Sequence, residues 1–172
     1  SICAIKDGKS YDTTMGLSPL QGLIMGTRCG DIDASVCTYL ISQGLTADEV
    51  NAELNKKAGF LGITGSSDSR DVIAKAERGD ANAKLAREIQ LQRIANYIVQ
   101  YANELGKVDA IVFTAGCGEN DAQLLEGVCD RVHLINLKYD LVKNKQKYDD
   151  YLDVTASDSD VRLFRVRTNE EL

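Results

Sequence analysis

Four short stretches hold residue types that could do chemistry on phosphate groups. In "FTAGCGEN", Phe113–Asn120, an apolar run ends in two glycines around Cys117, followed by Glu119 and Asn120. A strand, a glycine turn and a helix N-terminus would present backbone N–H groups and the positive end of a dipole together, which suits an anion. Glycines also let a nucleotide approach the backbone closely. The stretch is neither a Walker pattern nor G-x-G-x-x-G, and a tight strand-to-helix turn explains it equally well. In "MGTRCGDID", Met25–Asp33, Arg28 stands among small residues and before two acids. It is either a surface arginine paired with Asp31 or Asp33, or a guanidinium held over a transferring phosphoryl group, whose equatorial oxygens match its fork. In "SSDSRD", Ser66–Asp71, an arginine and acids share a polar loop, and Ser67, Asp68 or Ser69 can cap a following helix. In "TNEEL", Thr168 suits an N-cap with Glu170 and Glu171 in the first turn; a carboxylate there can also hold Mg2+, often through water.

The elements that must position these residues follow from periodicity and turn chemistry. Residues 1–14 read as a β-hairpin turning at Asp7 and Gly8. Met15–Gly30 is rich in glycine and small apolar residues, and a short helix is expected from Pro19 with Ser18 as its N-cap. Val36, Leu40 and Ile41 predict a helix that stops at Gly44, and Thr46 with Glu49 forms a capping box for the next. Leu61–Asp71 reads as a loop. Asp80–Leu105 is the longest helix, with Leu85, Ile89, Ile94, Ile98, Tyr101 and Leu105 roughly along one face and Gly106 as its stop. "KVDAIVFTAG" predicts a strand buried on both faces in a mixed or parallel sheet. Helix is expected over Asn120–Val128, a short strand over His133–Leu137, and helix again in "LVKNKQKYDDY". In "VRLFRVR", Val161–Arg167, apolar and basic residues largely alternate, as in a half-buried strand. This order is an α/β arrangement with a mixed sheet.

The length of 172 residues fits one domain with a sizeable core. A hydrophobic fraction of 44% and a charged fraction of 27% are ordinary for a globular protein. No apolar run approaches the ~20 residues of a membrane span, and no signal-peptide pattern opens the chain, so no membrane partner is expected. A net charge of −6 argues against nucleic acid as the main partner, and a local basic pocket for a phosphorylated ligand stays open. Cys3, Cys29, Cys37, Cys117 and Cys129 form no C-x-x-C pair, and the single His133 has no cysteine pair nearby. They read as free, mostly buried thiols in a reducing cytoplasm. The chain opens on a strand-like run and closes in the first turn of a helix, which reads as a piece cut from a longer protein.

In this order and spacing, "YDTTMGLSPLQGLIMGTRCGDID", "LGITGSSDSRD", "DAIVFTAGCGEN" and "TNEEL" closely resemble the acetate kinase family, over nearly the whole chain. The resemblance implies an α/β fold of the actin-like, sugar-kinase (ribonuclease H-like) type, a mixed β-sheet flanked by helices. It makes residues 1–172 the bulk of a C-terminal domain, with the N-terminal domain absent. It implies reversible transfer of the ATP γ-phosphoryl group to acetate, giving acetyl phosphate and ADP, with Mg2+ (or Mn2+), in a cytoplasmic homodimer. Arg28 falls on the family's catalytic arginine. Asp68, Ser69 and Arg70 fall on an Asp-aromatic-Arg stretch near the nucleotide. Gly116, Cys117, Gly118, Glu119 and Asn120 fall on a Gly-Ile-Gly-Glu-Asn loop against the adenosine and its phosphates, and Glu170 falls on a glutamate that helps to position Mg2+. On this reading the glycines let a nucleotide lie on the backbone.

Some residues depart from the family pattern. Cys117 replaces an isoleucine, Ser69 a residue that is often aromatic, and Arg167 a proline. The family's phosphate-binding His-x-Gly-Asn-Gly segment would precede Ser1, and its other catalytic residues belong to the N-terminal portion. Phosphoryl transfer needs several converging groups, so the 172-residue chain alone is expected to be inactive. His133 does not match the family's histidine and reads as structural. A propionate or butyrate kinase of the same family is an alternative, as is a non-catalytic nucleotide-binding or dimerisation module. Arg28 and Glu170 speak against the module, because holding a nucleotide does not require that arginine.

Overall fold

A computed structural model describes residues 1–168 of the chain. The chain divides into two compact units, Ser1–Arg93 and Ile94–Leu172. The first opens with the expected hairpin, β1 (Cys3–Lys6) antiparallel to β2 (Lys9–Thr13). Asp7 and Gly8 both take positive φ, 52° and 72°, as the favoured two-residue hairpin turn demands. Residues 14–34 then form no regular element. The helix expected at Pro19 is not formed: Ser18 Oγ accepts a hydrogen bond from Leu20 N at 3.3 Å, a local turn in place of a cap. Gly16, Gly22, Gly26 and Gly30 punctuate the segment and weaken any helix there.

Helices α1 (Ser35–Ser42) and α2 (Ala47–Lys56) follow, the second opened by the Thr46–Glu49 capping box. Two more, α3 (Gly59–Thr64) and α4 (Ser69–Glu77), lead to the long α5 (Ala81–Leu105). Leu61–Thr64 is therefore helical rather than loop. Phe60 lies in a core cluster with Ile24, Val72, Ala83 and Ala86, and that burial fixes a short helix that propensity would leave marginal. Asp80 Oδ1 accepts from Ala83 N at 2.7 Å at the start of α5, and Gly106 follows its end at φ 74°. Leu85 is 53% exposed and lies off the buried stripe. Buried positions in α5 recur at Ala83, Ala86, Arg87, Gln90, Leu91, Ile94, Ala95, Ile98 and Tyr101. The five-residue step from Ile89 to Ile94 in the expected face does not fit a 3.6-residue turn.

The second unit holds the end of α5, then β3 (Ala110–Phe113), α6 (Ala115–Asn120), α7 (Ala122–Cys129), α8 (Leu141–Asn144), β4 (Tyr151–Asp153) and β5 (Arg162–Val166). Its sheet is mixed, in the order β3-β5-β4, with β5 parallel to β3 and antiparallel to β4. Phe113 is buried, but Val112 is 52% exposed, so β3 is not covered on both faces. His133–Leu137 forms no strand. Asn136 Nδ2 donates to Asp158 O at 2.8 Å and Lys138 N to Ser159 Oγ at 3.0 Å, so the segment is tied to a turn. The helix in "LVKNKQKYDDY" covers only Leu141–Asn144, and the Asn144 carbonyl accepts from Arg165 Nη1 at 2.7 Å. All five cysteines are free, and only Cys129 is buried; Cys3 and Cys117 are exposed. The expectation of mostly buried thiols is thus corrected. Burial pushes the Cys129 thiol up to about 12. Among the described residues no helix is long and apolar enough to cross a membrane.

Candidate functional site

Arg28 sits on an irregular segment whose backbone is held from several sides. Cys29 N donates to Leu54 O at 3.0 Å, Ala58 N to Thr27 O at 3.1 Å, Phe60 N to Met25 O at 2.9 Å and Leu61 N to Gly26 O at 2.8 Å. Arg93, from α5, adds Nη1 to Cys29 O at 2.9 Å and Nη2 to Asp31 O at 2.8 Å. Gly59 takes φ +63°, and a Cβ there would lie 2.7 Å from Arg28 O and also against Met25 O. Only glycine lets α3 start this close to the segment. The guanidinium itself is left nearly free: its hydrogen bond among the described residues is Nη1 to Met25 Sδ at 3.5 Å, a weak acceptor. No ion pair joins it to Asp31 or Asp33. Asp31 Oδ1 accepts from Gly22 N, and Asp33 Oδ1 from Ser35 N and Oγ.

Asp68, Ser69 and Arg70 lie in the same unit, close to that segment. A Cβ on Gly26 would lie 2.7 Å from Ser67 O. Asp68 is the N-cap of α4, and Ser69 is its first residue. Asp68 Oδ1 accepts from Arg70 N at 2.8 Å and from its Nε at 3.1 Å, and Oδ2 from Nη2 at 2.6 Å. Those bonds from the Arg70 side chain hold the Asp68 carboxyl down at about 2. The Arg70 side chain is 87% exposed. An ion pair this exposed is worth little, so Arg70 can turn to another anion at small cost.

Gly116–Asn120 belongs to the second unit. The glycines lie inside the short helix α6, not in a turn before a helix. The sharp change of direction falls on Ala115, at φ 58°, whose N–H donates to Thr168 Oγ1 at 2.8 Å. The two glycines differ. A Cβ on Gly118 would come within 3.0 Å of Phe113 C, whereas one on Gly116 would meet no described atom within 4 Å. Packing accounts for Gly118, and nothing in the described chain accounts for Gly116. Cys117 is exposed. Asn120 Nδ2 donates back to Gly116 O at 2.9 Å. Glu119 O accepts from Arg165 Nη2 at 2.6 Å and from Tyr148 OH at 2.8 Å.

Arg165, Tyr148 and Arg93 were not among the residues singled out in the sequence. Counting by two from Leu163 puts Arg165 on the buried face of β5, so the signal was available. Arg93 gives no such signal within a long helix. His133 is exposed. Among the described residues no group of three or more His, Cys, Asp or Glu is placed to hold a metal ion. Glu170 and the helix expected after Thr168 lie outside the described residues.

A family model described as "Acetokinase family" matches residues 1–172. The chain is 48% identical to the acetate kinase of Mycoplasma mycoides subsp. mycoides, over 99% of this chain and 44% of that protein. Among solved structures it is similar to Porphyromonas gingivalis acetate kinase, at 37% identity and a TM-score of 0.92, over 98% of this chain and 43% of the other. It is equally similar to a propionate kinase from Francisella tularensis subsp. tularensis, at 39% identity and a TM-score of 0.92 over the same shares. The chain thus spans under half the length of the relatives it matches.

Proposed function

The chain belongs to the acetokinase family, and from that premise we propose that it forms the bulk of the C-terminal domain of an acetate kinase. Its fold is the mixed α/β fold of the actin-like ATPases. The complete enzyme transfers the γ-phosphoryl group of MgATP to acetate, reversibly, by direct in-line displacement. It works as a cytoplasmic homodimer. Arg28 supplies the charge that steadies the phosphoryl group in flight. Asp68, Ser69 and Arg70 lie near the nucleotide, Gly116–Asn120 carry the adenosine and its phosphates, and Glu170 positions the Mg2+ that enters with ATP.

One observation carries this reading. Arg28 has a backbone fixed by hydrogen bonds and a glycine contact, yet among the described residues its guanidinium bonds only a thioether sulfur. A fixed cation held without a carboxylate is preorganised for charge that appears during reaction. The remaining work falls to binding and orientation by the nucleotide segments.

The test is turnover of the full-length enzyme with acetate, propionate and butyrate, each trapped as its acyl phosphate. Acetate should give the highest kcat/KM. Preference for propionate or butyrate would move the assignment within the family, and no acyl phosphate from any of them would refute a carboxylate kinase. The 172-residue chain alone should show no turnover.

A further inference from the structure

We propose that Arg165 is a positioning residue for nucleotide binding. With Tyr148 and Asn144 it fixes the kink between α6 and α7, and so the backbone of Gly116–Asn120. The inference rests on the reading of that segment as the nucleotide site.

Arg165 is 5% exposed, on the same face of β5 as buried Leu163. A buried guanidinium costs free energy unless its donors are satisfied, and an apolar residue would fill the place without that cost. Among the described residues no carboxylate pairs with Arg165, and its Nε has no partner. Stability of the strand therefore gives no reason for this side chain. What it does, and a leucine could not, is hold two segments through their carbonyls. Nη1 donates to Asn144 O at 2.7 Å and Nη2 to Glu119 O at 2.6 Å.

The other two side chains complete the clamp. Tyr148 OH donates to the same Glu119 carbonyl at 2.8 Å. Its ring lies 5.3 Å from the Arg165 guanidinium and 5.5 Å from that of Arg167, so two cations hold the phenol in place. Asn144 is fully buried, and its Nδ2 donates to Ala122 O at 3.1 Å and to Glu126 Oε1 at 2.9 Å. The donors thus grip the chain on both sides of Asp121, at Glu119 and at Ala122. Asp121, at φ −105° and ψ 92°, interrupts the helical ladder there. The last carbonyls of α6 have no partners in their own helix, and a helix of six residues does not hold its direction alone. Charged donors from β5 supply the missing constraint.

The experiment uses the full-length enzyme, with MgADP affinity read by calorimetry and KM for ATP and for acetate read by turnover. Arg165→Met should weaken MgADP binding about tenfold or more, because two charge-assisted bonds are lost. KM for ATP should rise in step, while KM for acetate stays within about twofold. Arg165→Lys should recover part of the affinity, since an ammonium can reach one carbonyl but not both. Tyr148→Phe, which removes one hydroxyl and keeps the ring, should weaken MgADP binding by roughly threefold to tenfold. MgADP affinity unchanged in both Arg165→Met and Tyr148→Phe would overturn the proposal. So would an equal rise in both KM values, the mark of general loosening. If Arg165→Met fails to fold, Tyr148→Phe decides alone. A wild-type enzyme that binds MgADP but phosphorylates no carboxylate would sink the proposed function and leave this inference to the affinities. A wild-type enzyme that binds no MgADP would overturn both.

Discussion

Arg28 and Arg165 use the same side chain in opposite ways. At Arg28 the backbone is fixed by its neighbours, and among the described residues the guanidinium has a single weak acceptor. At Arg165 the guanidinium is buried and engaged, and what it fixes is the backbone of other segments. The first arrangement keeps a charge available for something that arrives. The second uses a charge up in holding a shape. The two glycines of α6 make a similar pair. Gly118 is small because Phe113 lies against it, and Gly116 is small with no described atom within reach of a Cβ there. In each pair, the described fold accounts for one member and leaves the other without a structural reason.

This contrast can be broken most severely at Arg28. Arg28→Ala in the full-length enzyme should lower kcat by about 10³-fold or more, as expected for an arginine that stabilises a phosphoryl-transfer transition state. Its melting temperature should not change, because the guanidinium's bond among the described residues is to a weak acceptor, Met25 Sδ. A fall of under about tenfold in kcat would remove Arg28 from that role.

Gly59→Ala attacks the fixed backbone instead of the free charge. The added Cβ meets Arg28 O and Met25 O, and the position has φ +63°. Destabilisation of about 3 kcal/mol is expected from strain and overpacking together, with a loss of kcat alongside it. Denaturant unfolding and turnover, measured on the same preparation, should therefore both fall. Loss of stability with kcat intact would show that Arg28 needs no such support.

Gly116→Ala sharpens the comparison with a smaller effect and opposite signs. Replacing a helical glycine that has no described atom within 4 Å of a Cβ should raise stability by about 0.5 to 1 kcal/mol. If a nucleotide lies on this backbone, the same methyl should weaken MgADP binding about tenfold. Gly118→Ala, which meets Phe113, should cost stability first. Unchanged nucleotide affinity in Gly116→Ala would mean that the open space is not where the ligand lies.

Local rules carried much of the fold. The Asp7–Gly8 turn, the Thr46–Glu49 capping box, the stop at Gly106 and the mixed sheet all appear as expected. Each depends on residues within a few positions of one another, or on a run long enough to average out exceptions. The failures have different causes. The helix expected at Pro19 gave way to a local turn at Ser18 among glycines, and the strand expected at His133–Leu137 to bonds with residues some twenty positions along the chain. Helix α3 formed where a loop was expected because Phe60 is buried with residues far along the chain.

By itself, the sequence determined the family, the α/β class, the candidate residues and their order, because motifs and periodicity are properties of near neighbours. It left the pairing of Arg28 open, and the tertiary structure removed one option: Asp31 and Asp33 are not its partners. Tertiary structure also turned Arg165 inward. The apolar and basic alternation of Val161–Arg167 slips by one residue after Leu163, and a strand cannot slip with it. A pleat alternates strictly by two, so once Leu163 entered the core, Arg165 had to follow.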